Sequence, residues 1–285
     1  MKRFAYYPGC SLHSTGAEYD LSLKATSSKL DIVLDEVKDW VCCGSSAAHP
    51  TNFSLSVSLP IYNLNKVEKE GKNEVIVPCA ACFSRFKIAL HEISNSSKTN
   101  EKVSKIIGSE FNNSVKVIHP LEIFENGNIK KNIKKDLSKL KVVCYYGCLL
   151  TRPSKIMQFD EPEYPMSMDR ILTSAGINAL DWGYKTDCCG ASFSLTRVDI
   201  VLELTKNILE DAKQNGASAI AVACPLCHAN LDTRQNEVNK KYNTDYNLPV
   251  FYFTQLIGLA FGIGADELGL NKHLVDPMPV LEVIK

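Results

Sequence analysis

Ten cysteines form two matching sets of five along the chain. Each set begins with a lone cysteine after a glycine, continues with a vicinal pair followed by glycine, and ends with a Cys-x-x-Cys. The first set is Cys10, Cys42, Cys43, Cys79 and Cys82, and the second set is Cys148, Cys188, Cys189, Cys224 and Cys227. Thiolates are soft ligands that suit zinc and iron–sulfur clusters. The duplication therefore predicts two metal centres of one kind.

Three kinds of site fit such a set to different degrees. A structural zinc ion is closed by four ligands, so a fifth thiolate would be left over. The two side chains of a vicinal pair diverge from the backbone, which favours ligation of different irons in an extended cluster. A redox-active dithiol would use the Cys-x-x-Cys, whose thiols a helix N-terminus acidifies, but it would leave three cysteines idle. We favour iron–sulfur clusters, with zinc and a dithiol as the alternatives.

The segments between the cysteines alternate between short apolar runs and helix-like stretches. This alternation predicts an α/β fold made of two pseudo-symmetric Rossmann-like lobes with mainly parallel sheets and one Cys-Cys-Gly motif each. Every cysteine of the two sets follows a predicted strand, and ligands of such folds gather at the carboxyl ends of strands. We expect Tyr6, Tyr7, Tyr145 and Tyr146 to pack in the cores beneath the two sites.

The predicted domains are residues 1–128 and 141–285, joined by a lysine-rich linker at 129–140. The linker lysines form either a solvated helix face or a docking patch for an acidic electron-transfer partner. The polar run at 94–100 is predicted to be a surface loop. Cys144, the eleventh cysteine, lies on a predicted strand, so we expect a buried inert thiol, and a substitute ligand for Cys148 is the alternative.

Composition excludes several classes of protein. Lys plus Arg and Asp plus Glu both number 32, and this balance argues against a nucleic-acid partner. No apolar run reaches the ~18 residues of a membrane span. Many cysteines without an export signal point to reduced thiols and a cytoplasmic protein.

The two motifs resemble the cysteine-rich domain family whose type member is the B-type subunit of heterodisulfide reductase. The resemblance extends to Arg152-Pro153 and to the segment Phe159-Asp160-Glu161-Pro162-Glu163 with Pro165. It implies that each set of five cysteines holds a noncubane [4Fe-4S] cluster, and that two such clusters face each other across the domain interface. A disulfide substrate is then cleaved between them, which suits a reaction that needs two electrons.

The resemblance further implies a disulfide oxidoreductase that is the catalytic subunit of a larger complex. A heterodisulfide such as that of coenzyme M and coenzyme B would be the substrate, although the segment 11–19 differs from that of hydrogenotrophic methanogens. The implied partners are a ferredoxin-like subunit of the C type, with cubane [4Fe-4S] clusters, and an FAD-containing subunit of the A type. One alternative is an electron-transfer subunit of lactate, glycolate or glycerol-phosphate oxidation. The other is a sulfur-oxidising complex that forms S–S bonds on a carrier-bound substrate.

Few other residues indicate chemistry. His13, His49 and His228 lie near cluster cysteines and are candidate proton donors, or otherwise supporting histidines, and His228 is the preferred catalytic residue. Arg152 is a candidate for binding an anionic substrate group, with a structural salt bridge as the alternative. The remaining histidines, including His119, show no pattern.

Overall fold

The computed structural model describes residues 1–45 and 48–282, so the predicted end of the second domain at 283–285 lies outside the described residues. The strands are β1 Lys2–Tyr6, β2 Ile32–Glu36, β3 Glu74–Ile76, β4 Lys116–Ile118, β5 Lys141–Tyr145, β6 Asn178–Leu180, β7 Ala219–Val222 and β8 Val250–Tyr252. The first-half helices are α1 Gly9–Leu12, α2 Ala17–Lys29, α3 Phe53–Lys69, α4 Ala80–Asn95, α5 Ser97–Ile107 and α6 Pro120–Glu125. The second-half helices are α7 Ser154–Met157, α8 Ser167–Ser174, α9 Val198–Gln214, α10 Pro225–Thr233, α11 Gln235–Tyr242, α12 Phe253–Ala260 and α13 Met278–Glu282.

The strands form one four-stranded sheet in each half. Their orders are β2-β1-β3-β4 and β6-β5-β7-β8, and all pairs are parallel. Helices cover such sheets on both faces, which is why β7 consists only of buried alanine, isoleucine and valine residues. The predicted fold of two pseudo-symmetric α/β lobes is confirmed.

One tyrosine in each lobe ties the central strand to the loop of the vicinal cysteines. The Tyr7 hydroxyl donates to the main-chain oxygen of Val41 at 2.8 Å, and the Tyr145 hydroxyl donates to that of Asp187 at 2.5 Å. The four tyrosines that were expected to pack in the cores are all fully buried. The local structure around the two motifs is therefore repeated down to individual hydrogen bonds.

The two lobes pack tightly through α2 and α12. Ser22 and Thr254 form a buried hydrogen bond of 2.7 Å between these helices. At the edge of the interface the Arg170 guanidinium pairs with the Glu125 carboxylate at 2.6 Å. Buried apolar side chains of both lobes belong to one continuous core. Of the helices in the described ranges, none combines the length and apolarity that a bilayer crossing requires.

The lysine-rich linker is not a helix face. It contains one 3-10 turn, Ile129–Asn132, and its main chain then binds the second lobe. The amides of Lys134 and Lys135 both donate to the oxygen of Ala260, at 2.7 and 3.0 Å. The linker is therefore held against the second lobe by its backbone.

The prediction of a surface loop at 94–100 is wrong. Helix α4 runs to Asn95, and α5 begins at Ser97. Between them, the Ser96 side chain accepts a hydrogen bond from the Thr99 amide at 3.1 Å, so it caps α5. Serine and asparagine are favoured both in loops and at helix N-caps, and composition alone does not separate the two.

Candidate metal centres

Both sets of five cysteines lie at the carboxyl edge of their own sheet. In the first lobe Cys10 lies in the short helix directly after β1, and the vicinal pair follows β2. Cys79 caps α4, and Cys82 lies in the first turn of this helix. The second lobe repeats this placement after β5, β6 and β7, with Cys224 as the cap of α10. Parallel pairing brings these three turns together because their strands end at one edge.

Sulfur atoms from different turns are in contact within each lobe. The Sγ atoms of Cys43 and Cys82 are 3.1 Å apart, and those of Cys189 and Cys227 are 3.7 Å apart. A further thiol hydrogen bond joins the lone Cys148 of the second lobe to the vicinal pair. All eleven cysteines are free thiols. Each vicinal pair therefore lies beside its own Cys-x-x-Cys, although 35 or so residues separate them in the chain.

The two sets also meet each other at the lobe interface. The thiols of Cys79 and Cys224, the first residues of the two Cys-x-x-Cys motifs, lie close enough across it for each to shift the pKa of the other. Both residues are buried. The opposite ends of the sets reach the surface, where Cys10, Cys42 and Cys188 are exposed. Each set thus extends from solvent to a shared point between the lobes.

Hydrogen bonds between neighbouring thiols lower the pKa of one thiol in the first set, Cys43, and of two in the second set, Cys188 and Cys224. Bonds from Cys42 and Cys82 lower the pKa of Cys43 to about 4. In the second lobe a bond from Cys148 lowers the pKa of Cys188 to about 6. The thiolate is the form that binds metals. The lowered pKa values of Cys43, Cys188 and Cys224 therefore favour the metal-binding form in both lobes.

The thiols are not arranged as a ready-made site for a single ion. Within 1–45 and 48–282, no three cysteine, histidine, aspartate or glutamate side chains are placed so that together they could hold one metal ion. The Cys43 and Cys82 sulfurs are also too close to hold a metal between them as they lie. A polynuclear cluster fits the number, softness and convergence of the donors, and its binding requires these side chains to rotate apart.

A glycine before each lone cysteine allows the Cys-x-x-Cys sulfur to approach the backbone. Gly9 and Gly147 have φ of +72° and +69°. A Cβ on Gly147 would lie 2.9 Å from the Cys227 sulfur, and one on Gly9 would lie 3.1 Å from the Cys82 sulfur. A side chain at either position would therefore push a predicted ligand out of place.

We expect Gly147→Ala to destabilise the protein more than Gly71→Ala. Gly71 has nearly the same φ, +71°, but a Cβ there would meet no atom within 4 Å. Gly71→Ala therefore carries only the left-handed backbone strain of about 1–2 kcal/mol. Gly147→Ala adds the clash with Cys227. Urea unfolding of both variants measures the difference, and equal losses of unfolding free energy would contradict the predicted sulfur contact.

His119, which showed no pattern in the sequence, is a buried residue between the lobes. Its Nε2 donates to the Pro78 oxygen at 3.1 Å, and its Nδ1 accepts from the Leu121 amide at 3.3 Å. It also hydrogen-bonds the Ala223 main chain, so it binds the residues before both Cys-x-x-Cys motifs. Its position as the N-cap before α6 was the one sequence signal, and a histidine cap is too rare to have indicated this role.

Burial lowers the pKa of His119 to about 4. Between this value and the ordinary pKa near 6.5 the unfolded chain binds a proton that the folded protein does not, so stability falls as the pH falls. We expect the unfolding free energy of the wild type to drop by about 3 kcal/mol more than that of His119→Gln between pH 7 and pH 4. Denaturant titrations at a series of pH values test this, and parallel pH profiles would show that His119 does not contribute.

His228, the preferred catalytic residue, lies inside an aromatic column between the lobes. Tyr19 stacks on Tyr252 with ring centroids 4.3 Å apart, and Tyr252 stacks on His228 at 4.4 Å. The His228 Nε2 donates to the Val250 oxygen at 2.9 Å, and its Nδ1 lies 3.8 Å from the Glu18 carboxylate. Burial lowers its pKa well below the usual range. Its role as a proton donor stays a prediction.

The other candidate polar residues lie at the surface. Arg152 pairs with Glu163 at 2.6 Å and donates to the Thr186 hydroxyl at 3.3 Å. His13 lies 3.1 Å from the Glu36 carboxylate, and His49 is exposed. The salt bridge that was the alternative role of Arg152 is present. Anion binding by Arg152 stays a prediction.

Cys144 is separate from both sets. Its side chain is fully buried, and burial raises the pKa of its thiol well above the usual range. The prediction of a buried thiol is confirmed.

Comparisons with known proteins agree with this division into two equivalent sites. The model of the cysteine-rich domain family, CCG, matches residues 4–87 and 142–232, one stretch in each lobe. The chain is 28% identical over 295 residues to the B-type subunit of a ferredoxin/F(420)H(2)-dependent CoB-CoM heterodisulfide reductase from Methanosarcina acetivorans, covering 100% of this chain and 97% of the relative. It is 29% identical over 280 residues to an 8-methylmenaquinol:fumarate reductase membrane anchor subunit from Wolinella succinogenes, covering 96% and 98%.

A solved structure of a hypothetical protein from Helicobacter pylori shares the fold. It superposes with a TM-score of 0.79 at 13% identity and covers 96% of this chain, which spans about half, 52%, of that longer chain. The relatives named above are subunits of oxidoreductase complexes. Since the two matched stretches span more than half of its length, the chain belongs to the cysteine-rich CCG-domain family and carries one copy of the domain in each lobe.

Proposed function

We propose that each lobe binds a noncubane [4Fe-4S] cluster through its five thiols. The ligands would be Cys10, Cys42, Cys43, Cys79 and Cys82 in the first lobe, and Cys148, Cys188, Cys189, Cys224 and Cys227 in the second. The support is the convergence of three turns in each lobe, the sulfur contacts between them and the acidic thiols Cys43 and Cys188. When bound, each cluster would supply one electron at a time.

We propose that the protein is the disulfide-handling subunit of a heterodisulfide-reductase-like complex. The observation that carries this is the contact of Cys79 with Cys224, because it puts both ligand sets against one point between the lobes. Reduction of a disulfide consumes two electrons and two protons and yields two thiols, so access from two redox centres suits it. The heterodisulfide of coenzyme M and coenzyme B is the leading substrate. His228, next to Cys227, would donate a proton to a departing thiolate, and Arg152 would bind an anionic substrate group.

The proposed partners are a ferredoxin-like subunit with cubane clusters and an FAD-containing subunit. Electrons must reach the two clusters from another subunit. The exposed thiols Cys10, Cys42 and Cys188 mark the surface where this transfer would occur. Heterodisulfide reductase subunits among the relatives support such a complex. The same surface would serve the reverse reaction in a sulfur-oxidising complex.

A second candidate function is electron transfer without a disulfide substrate. It is favoured by the relative from Wolinella succinogenes, whose name describes a subunit of a quinol:fumarate reductase. In that case the contact between the lobes would pass electrons between the two centres, and a separate subunit would bind the substrate. Subunits of lactate, glycolate or glycerol-phosphate oxidation would belong to the same class.

Anaerobic purification followed by iron, sulfide and zinc analysis tests the proposal. We expect about eight irons and no stoichiometric zinc per chain for two [4Fe-4S] clusters. Oxidation of a reduced viologen dye is then followed after addition of the coenzyme M–coenzyme B heterodisulfide or of other low-molecular-weight disulfides. Oxidation that depends on the disulfide supports disulfide chemistry. Clusters that the dye reduces and that no disulfide reoxidises would support the electron-transfer function instead.

A further inference from the structure

The two thiol sites are related by pseudo-symmetry, but their nearest charged residues differ. Arg85 follows Cys82 by three residues on α4, and the position three residues after Cys227 on α10 is Asn230. Residues three apart lie on the same face of a helix, so both side chains lie beside the sulfur of their Cys-x-x-Cys. The first lobe thus has a cation where the second has a neutral amide.

Arg85 lies against the thiol cluster of the first lobe. It is half-buried, and burial lowers its pKa while the negative charge of Cys43 acts against that change. Its charge also contributes, after the hydrogen bonds from Cys42 and Cys82, to the low pKa of Cys43. Within the described residues, Cys43 is the only anion that acts on this guanidinium. An arginine keeps its charge at any physiological pH.

Asn230 contacts the equivalent point of the second lobe directly. Its Nδ2 donates to the Cys189 oxygen at 2.8 Å, and its Oδ1 accepts from the Ser194 hydroxyl at 2.9 Å. The asparagine therefore holds the second vicinal pair in place without adding a charge.

The residue before each vicinal pair differs in the same direction. Val41 precedes Cys42, whereas Asp187 precedes Cys188, and the Asp187 carboxylate acts electrostatically on that thiol. Asp187 is exposed to solvent, however, so water screens its field as it does that of an exposed aspartate in the first lobe.

Other charges near the two sites are largely balanced. In the second lobe, Lys185 pairs with Asp169 and Arg152 pairs with Glu163, each at 2.6 Å. In the first lobe, Asp39 is exposed to solvent, where its field is screened. The half-buried Arg85 remains as the unbalanced difference.

We propose that Arg85 makes the two clusters inequivalent, so that the first-lobe cluster has the higher reduction potential and is reduced first. This rests on the proposed cluster ligation. Reduction adds a negative charge, which a nearby cation stabilises and a nearby anion opposes. Arg85 would not touch the substrate. It would act on the cluster through its electric field at the ligand Cys43. Electrons would then flow from the second lobe toward the first.

A redox titration of the anaerobic protein, followed by electron paramagnetic resonance, tests this inference. We expect two separate one-electron steps in the wild type, and only the lower step in a Cys82→Ser variant. Arg85→Gln should lower the midpoint potential of the upper step. The ratio of reduced to oxidised cluster at a fixed potential should then fall about tenfold, which corresponds to about 59 mV for one electron. Arg85→Lys should restore it, and Asp187→Val, which removes an exposed and screened charge, should move the lower step much less than Arg85→Gln moves the upper one.

Lys69→Gln is the matched control, because it removes an exposed positive charge of the same lobe at the far end of α3. It should shift neither step. Coincident steps in the wild type, or equal shifts in Arg85→Gln and Lys69→Gln, would overturn the inference and leave the clusters in place. Protein that purifies without iron and sulfide would overturn the proposed function and this inference together.

Discussion

Replacement of Cys82 by serine is expected to remove the cluster of the first lobe, so that iron falls from about eight to about four atoms per chain. Cys82 is buried, its sulfur contacts that of Cys43 at 3.1 Å, and it lies against the turn of Gly9. A serine oxygen is a harder donor and is rarely deprotonated, so it does not replace a thiolate as a ligand of iron. Disulfide-dependent dye oxidation should be lost, since it needs two centres.

Two variants separate ligand loss from general damage. Cys227→Ser removes the equivalent residue of the second lobe and should have the same effect on iron content. Cys144→Ser also removes a buried thiol, but one outside both sets, and should retain all of the iron. Full iron content in Cys82→Ser, or equal loss in Cys144→Ser, would contradict the assignment of the ligands.

Replacement of Lys185 by methionine is expected to lower the unfolding free energy by about 3–5 kcal/mol. The Lys185 side chain is fully buried, and its Nζ lies 2.6 Å from the Asp169 carboxylate. Asp169 also accepts a hydrogen bond of 2.7 Å from the Tyr146 hydroxyl. Without the lysine, this carboxylate remains buried with no countercharge. Urea unfolding measures the loss.

The double variant Lys185→Met/Asp169→Leu isolates the cause. Removal of both charges leaves no unpaired group, so it should recover much of the stability that the single variant loses. Lys213→Met serves as the control, because its pair with Asp245 is exposed and contributes about 0–1 kcal/mol. A double variant less stable than Lys185→Met would show that packing, rather than the buried charge, determines the effect.

This ion pair also bears on the second site. The main-chain oxygen of Lys185 accepts hydrogen bonds from the amides of Tyr146 and Gly147, at 2.8 and 3.1 Å. Those residues form the turn before Cys148, and Lys185 itself precedes the vicinal pair Cys188–Cys189 by three residues. The buried lysine therefore joins two of the three turns of the second lobe, and cluster content of Lys185→Met should fall selectively in that lobe.

Much of the fold followed from local patterns. Short apolar runs that end at a cysteine, such as Val75-Ile76-Val77, predicted parallel strands, and all three residues are buried in or beside β3. The polar run at 94–100 was misassigned because Ser96 caps a helix, and a cap differs from a loop only through the backbone geometry that follows it. The contact of the linker at 129–140 with Ala260 was not predictable for a related reason, because it joins two segments that are remote in the chain.

The thiol sites also combine features that local patterns predict with features that only remote contacts decide. His119 was missed because its position before the helix that starts at Pro120 does not by itself indicate a role, and it gains that role only when α6 brings it between Pro78 and Ala223. The effect of the Arg85 charge on the first thiol site likewise depends on the approach of the Cys42–Cys43 loop to α4.

The sequence by itself determined which donors exist, that they occur twice, and that each follows a strand, because residue type and spacing are properties of the covalent chain. Only the tertiary structure decided that Cys79 meets Cys224, that Cys10 and Cys42 face solvent, and that Lys185 is buried against Asp169. These relations join segments that are distant along the chain. They arise from the packing of two lobes against each other, which no local pattern encodes.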